Sequence, residues 1–171
     1  MTNPTFTVVS PQQLADLRRL SIDTFTDAFG TQNTSTDLQA YLTQAFSPSQ
    51  LANELSDPSS QFIFIQTANE NCGYLKLVTH PDYLEIQRLY LTPRAQRQGY
   101  GAAAIAFAAH LAQSKVKHEL RLAVWEHNLP AFKFYVAQGF RPIGSHPFQL
   151  GSAIQTDLIM TKKYKFGDVH L

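Results

Sequence analysis

The sequence predicts a single α+β domain in which a central mixed sheet of about seven strands is flanked by helices. Seven short runs of alternating or continuous apolar residues, bounded by turn residues, read as strands. Longer stretches with apolar residues three and four apart lie between them and read as helices. A glycine loop, Gln96 to Gly101, joins a strand-like run to an alanine-rich helix, so the two kinds of element follow one another along the chain. With 171 residues, 44% hydrophobic and 16% charged, the apolar material suffices for one core. Residues 1–171 are therefore read as one domain.

Taken in order, Phe6 to Val9 reads as a strand, and Pro11 to about Phe29 as a helix with Leu14, Leu17, Phe25 and Phe29 inward. Thr34 to Phe46 and Ser47 to Leu55 each open on a hydroxyl residue suited to capping, and read as two short helices. Gln61 to Thr67 and Gly73 to Val78 form a hairpin across Ala68 to Cys72. Tyr83 to Leu91 is the central strand; Pro93, which has no N–H to donate, stops its pairing. Ala102 to Gln113 has helical composition, and Leu120 to Val124 reads as a strand. Asn128 is a good N-cap, Pro130 falls in a first turn where its missing N–H costs little, and Gly139 is placed to end the helix in the left-handed conformation. Phe132, Tyr135 and Val136 share one face of that helix. Arg141 to Ser145 and Thr156 to Lys163 complete the sheet, and the chain frays from Tyr164.

The loop is the chemically informative stretch. The first N–H groups of a helix lack intrahelical partners, and the aligned peptide dipoles place about half a positive charge there, so main chain alone can bind an anion. Gly99 and Gly101 permit close approach and the positive φ that turns successive N–H groups inward. A P-loop would need Lys and Ser or Thr after the last glycine, where Ala102 and Ala103 stand. A dinucleotide fingerprint would need an acidic residue after the next strand, and Glu119 comes before it. The third pattern, Gln/Arg-x-x-Gly-x-Gly/Ala, which takes the diphosphate of coenzyme A, is met at every position by Gln96-x-x-Gly99-x-Gly101.

With the second signature, Asn128 to Phe140, the chain resembles the GCN5-related N-acetyltransferases. Nearly the whole length is similar to their bacterial spermidine/spermine-type subfamily, through Asp37 to Leu42, Gly73 to Leu77, Ser145 to Gly151 and Gln155 to Lys162. The resemblance implies a sheet whose strands splay at the coenzyme site, helped by a β-bulge that frees main-chain groups of the central strand. It implies acetyl-coenzyme A as cosubstrate, bound by Leu89, Leu91, Gln96, Arg97, Gln98, Gly99, Tyr100, Gly101, Ala102, Asn128 and Tyr135. An alkylammonium with a pKa near 10.4 must lose a proton before it attacks, and Glu85, eleven residues before Gln96, a separation similar to that of the glutamate base in the histone-acetyltransferase branch, is by that resemblance the expected base, directly or through water. The Leu89 N–H would polarise the thioester carbonyl, and Tyr135 would return a proton to the departing thiolate.

The expected acceptor is a small primary amine, a polyamine first, with Asp23, Asp27, Asp37, Glu85 and Asp157 as the carboxylates able to hold its ammonium groups. A peptide or protein amine is the alternative, and a non-catalytic acyl-coenzyme A module is the other class. A net charge of +1 with scattered Lys and Arg gives no case for nucleic acid or an anionic membrane surface. Cys72 stands alone, so no internal disulfide is expected, and the polar start resembles no targeting segment, which points to the cytoplasm. His80, His110, His118 and His170 lack metal-ligand spacing, and no metal is expected. A homodimer is left open.

Overall fold

A computed structural model describes residues 2–68 and 70–165. The chain runs β1 (Thr5–Val8), a 3₁₀ turn, α1 (Leu14–Phe29), α2 (Ser35–Ala45), α3 (Pro48–Ser56), β2 (Ser60–Thr67), β3 (Glu70–Thr79), β4 (Leu84–Leu91), a second 3₁₀ turn, α4 (Tyr100–Ser114), β5 (Glu119–Trp125), α5 (Leu129–Ala137), β6 (Arg141–Leu150) and β7 (Ala153–Lys163). The strands form one seven-stranded sheet in the order β1-β2-β3-β4-β5-β7-β6. Every neighbouring pair is antiparallel except β4 and β5, which run parallel. This is the mixed-sheet α+β domain expected.

The sheet is covered on both faces, which is why its inner strands read as continuous apolar runs. In β2, Phe62 and Phe64 pack with Tyr74, Leu17, Phe25, Leu42 and Leu51 beneath α1 to α3. Ile63 and Ile65, one residue out of phase, pack with Leu75, Leu77, Ile86, Leu122 and the small face of α4 at Ala104, Ala108 and Ala112. Each fully buried Leu, Ile or Phe contributes about 1.5–3 kcal/mol through the water it sheds. The caps are those read from sequence: Thr34 accepts from Asp37 N–H, Ser47 from Gln50 N–H and Asn128 from Ala131 N–H. Gly139 sits at φ +92°, with Gly139 N–H donating to Val136 O and Phe140 N–H to Tyr135 O, the pair of bonds that closes a helix through a left-handed residue.

Several boundaries differ from expectation, each for a local reason. β6 continues past Ser145 to Leu150 because it is the edge strand, where Pro147 can pair with Thr156 at little cost in ladder bonds. β3 begins at Glu70, so its connection to β2 is tighter than Ala68 to Cys72; Asn69 of that turn lies outside the described residues. Val136 is exposed, and Phe134 takes its place against the α4-side core. Tyr164 itself does not fray, since its N–H donates to His118 O at 2.8 Å and its ring lies beneath the Lys162 ammonium; residues 166–171, which the same expectation covered, lie outside the described residues.

One departure from regularity positions the site. Lys76 pairs with Arg88 and Leu77 with Ile86, so Gln87 is an extra residue in β4, a β-bulge of the kind expected. Parallel pairing with β5 stops at Ile86 and Leu122, yet β4 stays with β3 to Leu91 and β5 stays with β7 to Trp125. Beyond the bulge the sheet therefore opens between β4 and β5.

Candidate active site

The walls of this opening carry unused main-chain groups. Thr92 N–H donates to Cys72 O, which makes their level a hydrogen-bonded pair of the β3–β4 ladder. Antiparallel pairs alternate, so Leu89 and Leu91, opposite Leu75 and Gly73, turn their N–H and C=O groups away from β3 and toward the gap. The Leu91 carbonyl is met there by the Gln96 side-chain amide at 3.2 Å. Gly73 is required at this level: a Cβ would come within 2.5 Å of Tyr90 O and 3.2 Å of Leu91 Cα.

The loop closes the open end. Arg97 has φ +60° and Gly99 φ +82°, both left-handed, and the first helical bond of α4 runs from Ala103 N–H to Gly99 O. The N–H groups of Tyr100, Gly101 and Ala102 are thus the orphan donors of a fifteen-residue helix, and no side chain caps them. A Cβ on Gly99 would meet nothing within 4 Å, so the ground before these donors is open; this cradle fits a diphosphate. The reason for Gly101 differs from expectation. Its Cβ would come within 3.0 Å of the Phe134 ring, so that glycine lets α5 pack on α4. The Gln96 side-chain amide donates to Leu91 O. Gly99→Val should strain the left-handed residue and fill the cradle, weakening acetyl-coenzyme A more than tenfold by calorimetry, about 1.4 kcal/mol. Unchanged affinity in a folded variant would remove the cradle from the site.

Across the gap, α5 presents Asn128, whose Oδ1 caps the helix at 3.3 Å, and Tyr135, which packs against Phe134 and Phe140. Withdrawal from water pushes the Tyr135 hydroxyl up to about 12, and Tyr135 is among the groups that act on Tyr90 of β4. Glu85 stands at the closed foot, paired with Val78 and with Arg121, and its carboxylate meets His80 Nε2 at 2.7 Å. It does not pair with Arg88. Leu84 and Ile86 face α4, so Glu85 faces the side of α1 to α3, among the charges that act on Lys76. The Glu85 carboxylate is bound to His80, and the Tyr135 ring packs on Phe134 and Phe140.

On that same side lies a cavity of about 470 Å³ lined by Tyr41, Gln44, Gln50, Glu54, Arg88 and Gln149. At its base, Glu54 Oε2 lies 2.8 Å from Lys76 Nζ and 3.0 Å from Arg88 Nη1, all three side chains at least 88% buried. Burial alone would raise the Glu54 carboxyl, but Arg88 and Lys76 overcome it and hold Glu54 below its ordinary range. Desolvation and the Arg88 charge lower Lys76. Of the carboxylates weighed for the acceptor, Asp37 is spent on Ser152 N–H and hydroxyl, which lower its pKa, while Asp23 and Asp27 are exposed on α1. Asp157, between Trp125 and His146, is raised by burial, partly offset by His146. Sequence reading missed Glu54, Lys76 and Arg88; the available signal was Lys76, a lysine inside the otherwise apolar run Gly73 to Val78. Among the described residues no three His, Cys, Asp or Glu side chains gather as a metal site, and no helix is long and apolar enough to cross a membrane.

Comparison with known proteins agrees with this geometry. A family model described as the acetyltransferase (GNAT) family matches residues 14–140. The chain is 34% identical over 170 residues to a protein of Lactobacillus delbrueckii subsp. lactis named an uncharacterized N-acetyltransferase in the pepI 3' region, covering 95% of this chain and 98% of that one. It is 29% identical over 129 residues to an uncharacterized N-acetyltransferase of Mycobacterium bovis, covering 74% and 81%. In fold it is similar to the PaiA N-acetyltransferase of Thermoplasma acidophilum, solved in complex with coenzyme A, with a TM-score of 0.82 at 23% identity over 95% of this chain and 100% of that one.

Proposed function

The chain belongs to the acetyltransferase (GNAT) family and is an acetyl-coenzyme A-dependent N-acetyltransferase, and from that premise we propose that it acetylates a small primary amine by direct attack in a ternary complex. The observation that carries the acceptor is the cavity of about 470 Å³, walled by α2, α3 and the β6–β7 hairpin, which suits a small molecule better than an extended peptide. Acetyl-coenzyme A supplies the activated acetyl group. The N–H groups of Gly99 to Ala102 hold its diphosphate, with Arg97 and Gln98 shaping the left-handed loop. Leu91 main chain and the Asn128 side chain flank the pantetheine path. The Leu89 N–H, turned into the gap, is the donor for the acetyl carbonyl, worth about 3 kcal/mol when well placed.

Glu85 takes the ammonium proton, through water, because it lies at the foot of the gap with His80 holding its carboxylate. Tyr135 is a hydrogen-bond donor to the leaving sulfur rather than a full acid. With the hydroxyl at about 12 and a thiol near 8.5, giving up the proton would cost nearly 5 kcal/mol. Tyr135→Phe should therefore lower kcat about tenfold or somewhat more while leaving coenzyme affinity within about twofold, as expected for one hydrogen bond to a charged group. Equal losses in kcat and in coenzyme affinity would make Tyr135 a packing residue.

A polyamine is the second reading, favoured by Asp157, a carboxylate raised by burial, on which His146 acts. Thiol release measured with acetyl-coenzyme A and a panel of small amines, polyamines and peptides tests the reading. Peptide turnover above that of every small amine would replace the acceptor, and coenzyme binding without thiol release for any amine would establish a non-catalytic acyl-coenzyme A module.

A further inference from the structure

We propose that the acceptor amine also carries a carboxylate, which seats against Arg88, with Lys76 buried behind it, at the base of the cavity between α2, α3 and the β6–β7 hairpin; this rests on the small-amine reading above. Two buried cations share one buried carboxylate, Glu54, so the triad itself holds a net charge of +1 away from bulk water; Glu85, held by His80, is the further carboxylate that acts on Lys76, and no ion pair joins it to Arg88. A structural staple tying α3 to the sheet would need one cation. The second sits close enough to the first for each to oppose the other, and Arg88 is among the causes that depress Lys76. One further negative charge would relieve that repulsion.

Donors for it are at hand. Glu54 engages two of the five N–H groups of Arg88, through Nη1 at 3.0 Å and Nη2 at 3.4 Å. Both Glu54 oxygens are occupied, Oε2 by Lys76 and Arg88 and Oε1 by Gln50 and Arg88, so this carboxylate has little capacity left for an incoming ammonium. The guanidinium lies over the Phe46 ring and the ammonium over the Phe62 ring, which fixes both cations in place. Arg88 lines the cavity and belongs to the stretch of β4 that has parted from β5, so an anion held there lies beside the gap. Asp157 completes the polarity of the site. It is among the charges acting on Tyr41 of the cavity wall, and it suits the ammonium end of the same molecule. A polycation would meet Arg88 and Lys76 with repulsion.

The test uses the protein saturated with coenzyme A and a series of linear ω-amino carboxylates, each beside its own carboxamide, with spermidine as the competing ligand. Calorimetry is expected to show the best carboxylate bound at least tenfold more tightly than its amide, about 1.4 kcal/mol. Arg88→Gln should bring that ratio below about threefold. Gln44→Glu, which adds a carboxylate to the exposed α2 wall without touching the triad, should shrink the ratio too, and decides the matter if Arg88→Gln does not fold. Equal binding of carboxylate and amide, spermidine binding more tightly than every carboxylate, no binding by any member, or a ratio unmoved in the variants would each overturn the proposal. Thiol release is read separately: acetylation of amines without preference for the carboxylate overturns this inference and leaves the acetyltransferase reading standing, whereas binding preference without turnover does the reverse.

Discussion

Glu85→Gln should lower kcat/KM by about a hundredfold near neutral pH, the lower end of what a positioned base contributes. The substitution keeps the shape and the hydrogen bond to His80 within reach while removing the proposed acceptor of the ammonium proton. An amine with a pKa near 10.4 is less than about one-thousandth free base at pH 7, so the variant depends on that fraction. Its rate should rise about tenfold for each pH unit as free amine appears, and converge on the wild type in alkali. A pH profile that overlays the wild type at reduced amplitude would assign Glu85 a structural part, and one superimposable on it would remove Glu85 from the reaction.

Glu54→Gln should be the most destabilising single change at the site, by about 3–5 kcal/mol, because it leaves Lys76 and Arg88 buried without their carboxylate. At about 2–4 °C per kcal/mol for a domain of this size, Tm falls by roughly 10 °C. The pH dependence has a definite sign. Glu54 is held below its unfolded value, so its contribution is present above the ordinary glutamate range and is lost as pH falls through the lower, folded value. Denaturant unfolding of the wild type should weaken in acid more steeply than that of the variant. A loss under about 1 kcal/mol would mean that water reaches the triad.

Much of the candidate site was legible because it rests on short-range rules. A glycine loop at a helix start, an asparagine cap followed by proline, and a glycine after the last turn are each decided within a few residues, and the observed caps and the positive φ of Gly99 and Gly139 follow those rules. Gly101 shows where such reasoning stops. Its spacing marked it correctly as a position needing glycine, but the neighbour it spares is the Phe134 ring, thirty-three residues on and visible only after α5 docks on α4.

Strand composition likewise carried the inner strands, since a sheet covered on both faces there needs continuous apolar runs, and the exposed edge position of β6 explains why its prolines hid its length. The class of reaction followed from local motifs whose backbone geometry is nearly self-sufficient. The proposed acceptor chemistry did not. Glu54, Lys76 and Arg88 come from α3, β3 and β4, and in sequence each is an ordinary charged residue with no periodicity to mark it. Their charges acquire meaning only when folding removes them from water together and leaves two cations to one anion, because the energy of such a cluster depends on separation and burial, neither of which a linear chain records.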